Sequence, residues 1–152
     1  NGFRVAMATL GFERGVSTLA QQIAFRRELD AVIDTATRTG AIDDAVLRDR
    51  LVRARMDLEV IRQHALRTLG GEQGDGASVA KLLWSNWHRT LGELAMEAAG
   101  PEALLVGPDY ALDELQSLYL FSRADTIYGG SDEIQRTVIA ERVLGLPREA
   151  RP

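Results

Sequence analysis

Residues 43–69 read DDAVLRDRLVRARMDLEVIRQHALRTL, and the spacing of their apolar side chains decides the fold class. Leu47, Leu51, Ala54, Leu58, Ile61, Ala65 and Leu69 recur at intervals of three and four. This puts them on one stripe of a 3.6-residue helix, with charged residues filling the rest of the circumference. Asp43-Asp44 supplies an acidic first turn, and Thr39-Gly40 ends whatever precedes it. Working outward, a long amino-terminal helix is predicted from about Phe3 to Arg38, with Val5, Leu10, Val16, Leu19, Ile23, Leu29 and Ile33 as its irregular apolar face. Gly11 and Gly15 weaken that helix locally. Gly70 to Gly76 reads as a glycine-rich loop. A third helix is predicted from about Ala77 to Ala99, carrying Val79, Leu83, Trp87, Leu91, Leu94 and Ala98 on one side and stopped by Gly100-Pro101. After Gly107-Pro108, a shorter fourth helix from Tyr110 to Ser122 and a fifth from Ser131 to Leu144 follow, the last closed by Gly145 and Pro147. No alternating strand pattern competes. The expectation is an all-α domain spanning residues 1–152, an antiparallel up-down four-helix bundle with a short extra helix at its carboxyl end.

Composition narrows the function classes. The chain has 152 residues, 45% hydrophobic and 26% charged, which suits one soluble domain with a real core. The net charge is −4 and the arginines are scattered among acids, which argues against a nucleic-acid partner. With no cysteine, disulfides and thiolate chemistry are excluded. His64 and His88 belong to no ligand pattern, so no metal is expected. No apolar run approaches the roughly 20 residues that cross a bilayer, and the first ten residues lack a secretion pattern, so no membrane partner and a cytoplasmic location are expected. Trp84, Trp87 and His88, at helical spacing, are assigned to packing.

The chemistry concentrates in Tyr128-Gly129-Gly130-Ser131-Asp132-Glu133-Ile134-Gln135-Arg136. Two glycines free to take positive φ precede a serine placed to cap the next helix. Exposed backbone N–H groups at a helix start suit a phosphate or a sugar. Asp132 and Glu133 would repel a bare phosphate, which favours hydroxyls or an adenine amine. A well-capped surface helix is the plainer alternative.

The run Arg123-Ala124-Asp125-Thr126-Ile127-Tyr128-Gly129-Gly130-Ser131-Asp132-Glu133-Ile134-Gln135-Arg136, continuing through Ile139-Ala140-Glu141-Arg142-Val143-Leu144-Gly145-Leu146-Pro147, resembles the carboxy-terminal signature of acyl-CoA dehydrogenases. Gly2-Phe3-Arg4-Val5-Ala6 is similar to the family's entry into the same domain, so the resemblance spans the whole chain. It implies a three-domain subunit in which this bundle follows an amino-terminal helical and a middle β-domain and carries the tetramer contacts. It also implies FAD as cofactor, an acyl-CoA substrate, and an electron-transferring flavoprotein or similar acceptor. The tetramer would hold four like subunits or two of each kind. On its own the domain is expected to be inactive.

In many members of the family the catalytic glutamate follows the motif tyrosine; here that position is Gly129, which cannot act as a base. A second placement in the family is a glutamate before an arginine on the first helix, matched by Glu13-Arg14 between Gly11 and Gly15. The resemblance therefore implies Glu13 as base and Arg14 near the CoA end of the cleft, with Tyr128 and Gly129 lining the substrate. A carboxylate in a dry pocket is the right chemical type. The alternative is a solvated Glu13 paired with a neighbour. Ser131 and Glu133 fall on positions that contact FAD, where threonine and glutamine are common. Arg38 lies near a flavin-contacting arginine, without the aromatic that usually follows. Glu97 and Gly100 fall near a Gln-x-x-Gly-Gly segment that touches FAD across the subunit interface, with Pro101 replacing its second glycine. Three alternatives remain beside the dehydrogenase: a noncatalytic subunit of a mixed tetramer, a flavin monooxygenase or oxidase of the same fold, and a helical scaffold without ligand.

Overall fold

The computed structural model describes residue 2, residues 18–70 and residues 76–148. Among these residues the ordered elements are helical, and five α-helices form the frame: α1 (Thr18–Thr39), α2 (Ala45–Leu69), α3 (Gly76–Ala99), α4 (Glu114–Asp125) and α5 (Asp132–Val138). A π-helical turn, Ile139–Val143, prolongs α5.

The stripe on α2 is buried as its spacing predicts, from Leu47 through Leu51, Ala54, Leu58 and Ile61 to Ala65, while Leu69 is exposed beyond the core. Its amino terminus differs by one turn from the sequence expectation. Asp43 belongs to a separate 3-10 turn, Ala41–Asp43, and Asp44 is the cap itself, accepting from the N–H groups of Val46 (2.7 Å) and Leu47 (3.4 Å). Gly40, at φ 81°, supplies the left-handed residue that ends α1.

On α1 the buried line is Phe25, Leu29, Val32 and Ala36, not the expected one: Leu29 is shared, Ile33 only packs at the margin, and Ile23 is exposed. The intervals of four, three and four from Phe25 to Ala36 trace the narrower stripe that faces α3. The expected face residues Val5, Leu10 and Val16 lie outside the described residues.

α3 runs through the middle of the assembly and packs against α1, α2 and α4. Leu91, Leu94, Ala95 and Ala98 are fully buried, and the Trp87 indole N–H donates to the Ala54 carbonyl at 2.8 Å, whereas Leu83 is exposed. The directions alternate. Thr39 and Ala98, at the carboxyl ends of α1 and α3, meet through a 2.8 Å hydrogen bond, so these two helices run parallel. Arg50 near the start of α2 meets Glu97 near the end of α3, and Asp125 at the end of α4 meets Lys81 near the start of α3, so α2 and α4 run against α3. This is the up-down bundle. α4 approaches α3 at Gly92, where an added Cβ would stand 2.6 Å from Ser122 Oγ and 3.0 Å from Tyr119 Cα.

α4 begins later and ends later than its sequence predicts. Asp113 and Gln116 form a reciprocal capping box that fixes its start, and the Gln116 amide also bonds the Ala103 and Leu105 carbonyls. Tyr110, expected inside the helix, lies instead in a 3-10 turn, Pro108–Tyr110, where Asp109 and Tyr110 take φ 56° and 59°.

Candidate functional site at the Tyr128–Glu133 turn

The turn between α4 and α5 is built by backbone conformation first. The N–H groups of Ile127 and Tyr128 both bond to the Ala124 carbonyl, and the chain then reverses through Gly129 (φ 67°) and Gly130 (φ 104°). Such angles are costly for residues with a Cβ. Gln135, buried one turn into α5, donates to the Gly129 carbonyl at 2.9 Å and closes the reversal from beneath.

α3 anchors this turn at three levels. Asn86 donates to the Asp132 carboxylate at 2.9 Å, which also faces Arg136 at 3.6 Å. The Lys81 ammonium bonds the Asp125 carbonyl and stands 4.5 Å from the Trp84 ring centre and 5.2 Å from that of Tyr128. Beneath them, His88 Nδ1 contacts Asp125 Oδ2, while its Nε2 lies 3.0 Å from Glu28 on α1. The Tyr128 hydroxyl donates to the other Asp125 oxygen at 2.5 Å.

The charges follow from these contacts. Burial disfavours a charged His88, but hydrogen bonds and charges from Asp125 and Glu28 outweigh it and push its pKa up to about 9. His88 is therefore an imidazolium at neutral pH. Burial lowers the Lys81 pKa, with Asp125 and Asp132 opposing. Burial, then the bond to Asp125, raises that of Tyr128, keeping it a phenol. His88 packs against Phe25 as expected, but it is also the charged centre of a buried network. Sequence reading missed this because Glu28 and Asp125 lie 60 and 37 residues away.

Ser131 occupies the cap position of α5, yet its side chain makes no capping bond. Its hydroxyl donates to Glu133 at 2.7 Å, a charge-assisted bond that competes with capping. The same bond holds the exposed Glu133 carboxyl below its usual range. Tyr128, Gly129, Ser131 and Glu133 are thus brought together.

Arg38, Glu97 and Gly100 lie elsewhere. Arg38 is exposed in the last turn of α1, beside the Thr39–Ala98 contact. Glu97 is paired with Arg50 at 2.5 and 2.7 Å, and Gly100 takes φ 67° as α3 ends. Glu97 and Gly100 border a groove of about 760 Å³ with Met96, Pro101 and Leu120. Eleven residues separate Asn86 from Glu97, about 16 Å of helix, so the predicted residues form two clusters along the bundle. Glu13 and Arg14 lie outside the described residues. Among the described residues, no group of three or more His, Cys, Asp or Glu side chains is arranged to hold a metal ion, and no helix is long and apolar enough to cross a membrane.

The model of the acyl-CoA dehydrogenase C-terminal domain matches residues 1–144. The acyl-CoA dehydrogenase IpdE1 of Mycobacterium tuberculosis is 59% identical over 99% of this chain and 40% of its own length. The IpdE1 of Mycolicibacterium smegmatis is 57% identical over 99% of the chain and 38% of its own. Among solved structures, the Tcur3481-Tcur3483 steroid ACAD superposes with a TM-score of 0.81 at 21% identity, covering 97% of this chain and 40% of that one. The chain thus spans about 40% of the length of the relatives it matches. On the match across residues 1–144 and the two relatives above 50% identity, the chain belongs to the acyl-CoA dehydrogenase family, as its C-terminal helical domain.

Proposed function

We propose that this chain is a single domain, residues 1–152, that supplies one wall of the flavin and substrate site in a larger acyl-CoA dehydrogenase. The observation that carries this reading is the turn at Gly129-Gly130: a left-handed double glycine, closed by Gln135 and locked to α3, inside the stretch that resembles the family signature. The residues present suit the sugar or adenine part of FAD. The turn has no side chain at two successive positions, Ser131 offers a hydroxyl, and the depressed Glu133 carboxyl is an acceptor. Two neighbouring carboxylates disfavour a phosphate there. Bound FAD would supply the hydride acceptor.

In this reading Glu13 takes the α-proton of the thioester as the β-hydrogen departs with its electron pair, Arg14 attends the CoA end, and Tyr128 and Gly129 border the acyl chain. The left-handed φ of Gly129 supports moving the base away from this position, because a glutamate here would bear strain of about 1–2 kcal/mol. Arg38, Glu97 and Gly100, roughly 16 Å along the bundle from the turn, are proposed to meet the flavin of a neighbouring subunit, which would explain two clusters on one chain. Electrons leave to an electron-transferring flavoprotein or similar acceptor.

A second reading, a noncatalytic subunit of a mixed tetramer, is favoured by one observation, the missing base at Gly129. Anaerobic mixing of the full-length parent with short-chain, branched, long-chain and sterol side-chain acyl-CoAs separates the two. Flavin bleaching by one class supports dehydrogenation; flavin that no thioester bleaches supports the noncatalytic subunit. Rapid oxygen consumption on readmitting air marks an oxidase or monooxygenase instead, and a parent without flavin marks a scaffold.

A further inference from the structure

Two carboxylates from two helices, Glu28 and Asp125, converge on one buried imidazole, and Lys81 and Tyr128 join it through Asp125; the reaction proposed above uses none of these groups except Tyr128. His88 is 4% exposed and Asp125 1% exposed. A buried, hydrogen-bonded charge pair is a costly feature, and apolar residues of similar volume would pack the same space more cheaply. Its geometry indicates what it does. Asp125 is the last residue of α4, so each of its polar atoms governs how the chain leaves that helix. One carboxylate oxygen takes His88, the other takes the Tyr128 hydroxyl, and the carbonyl takes Lys81.

We propose that His88 is a positioning residue: clamped between Glu28 and Asp125, it fixes the exit from α4 and thereby holds Tyr128, Gly129 and Gly130 in the conformation that forms the wall of the site. The inference rests on the reading of that turn as part of the flavin and substrate site, but its structural half stands apart from flavin. The groups facing His88 are Glu28 on α1 and Asp125 at the end of α4. Glu114 at the start of α4 shares a cavity of about 330 Å³ with it, and Lys81 and Tyr128 reach it through Asp125. Carboxylates outnumber cations around the ring, so the clamp works while the imidazole is protonated. Once neutral, the ring can donate through only one nitrogen, and one of the two carboxylates loses its partner.

The test is hydrogen–deuterium exchange of the full-length parent and its His88→Gln variant, followed by mass spectrometry and corrected for intrinsic rates, with FAD affinity measured on the same samples. The expected result is exchange at least tenfold faster in residues 126–131 of the variant, with residues 45–69 unchanged and FAD binding about tenfold weaker. The unmutated parent should show the same local opening between pH 7 and 10, and the variant should not. If His88→Gln fails to fold, the same pH series on a Lys81→Met variant decides: opening that persists belongs to His88, and opening that disappears belongs to Lys81 and overturns the proposal. Pairing His88→Gln with Asp125→Asn, which restores a neutral hydrogen bond, should return most of the protection at 126–131. Unchanged exchange in the turn, or loosening spread equally over α2 and α3, would overturn the proposal. Selective opening of the turn in a parent that binds no FAD would uphold the clamp and remove the flavin reading instead.

Discussion

Gly129 and Gly130 are neighbours with different demands on a side chain. A Cβ at Gly129 would meet only Lys81 Cε at 3.6 Å, ordinary contact, so Gly129→Ala incurs only the left-handed strain of about 1 kcal/mol. A Cβ at Gly130 would stand 2.6 Å from Gln135 Nε2, in addition to a φ of 104°. Gly130→Ala should therefore also cost the Gln135–Gly129 hydrogen bond, about 2–3 kcal/mol in all. Urea denaturation of the two variants checks this, and equal losses would contradict it. The sequence told that these glycines mattered, because a glycine pair before a serine and two acids is a turn signal. It did not tell which one the fold needs more, since that depends on where Gln135 returns in space. His88 makes the same point more sharply: nothing local to Trp84-Ser85-Asn86-Trp87-His88 distinguishes a packed imidazole from a charged one.

At the level of elements, regular spacing was legible and irregular spacing was not. The stripe on α2 could be read from Leu47 to Ala65 because its apolar residues keep to one face and no glycine interrupts them. On α1 the apolar residues surround more of the helix, so spacing alone chose Ile23, and only contact with α3 selects Phe25. The start of α4 was misplaced because Tyr110 has helix-compatible neighbours, whereas the deciding signal was Asp113 with Gln116 three residues on. Gly92 inside α3 gave no sequence sign beyond its cost to the helix, yet it sets how closely α4 approaches. Replacing it with alanine gains roughly 1 kcal/mol of helix propensity. The new methyl, however, must displace Ser122 and the backbone at Tyr119. Overpacking should dominate, giving a net destabilisation of about 1–2 kcal/mol. Stabilisation by Gly92→Ala in a thermal melt would mean that α3 and α4 are less closely packed than described.

Across the whole molecule, the pH dependence of stability should have two limbs with different owners. His88 has a folded pKa near 9 against about 6.5 unfolded, so its contribution is complete below pH 6.5 and is lost as pH rises through 9. For Asp30 burial raises the pKa, but bonds from Arg55 and Arg26 lower it further, so its contribution is present above pH 4 and lost on acidification. That carboxyl is about half exposed, so its limb is the shallower. Melting temperature should be highest between about pH 5 and 7, and His88→Gln should flatten the alkaline fall; a variant that keeps the parent's alkaline slope would assign that slope to other groups. The bundle itself was readable in the sequence, because helix spacing and glycine stops are local. The division of the site into two clusters was not, because it depends on α1 and α3 running parallel with the turn near one end and Glu97 near the other. In the proposed reaction the base has moved from the position of Gly129 to Glu13. The most direct measurement is the rate of anaerobic flavin bleaching by an acyl-CoA substrate in the full-length parent and in a Glu13→Gln variant that retains FAD. The expected result is a loss of roughly 100- to 10,000-fold, the range for removing a general base; bleaching at the parent's rate would take Glu13 out of the mechanism.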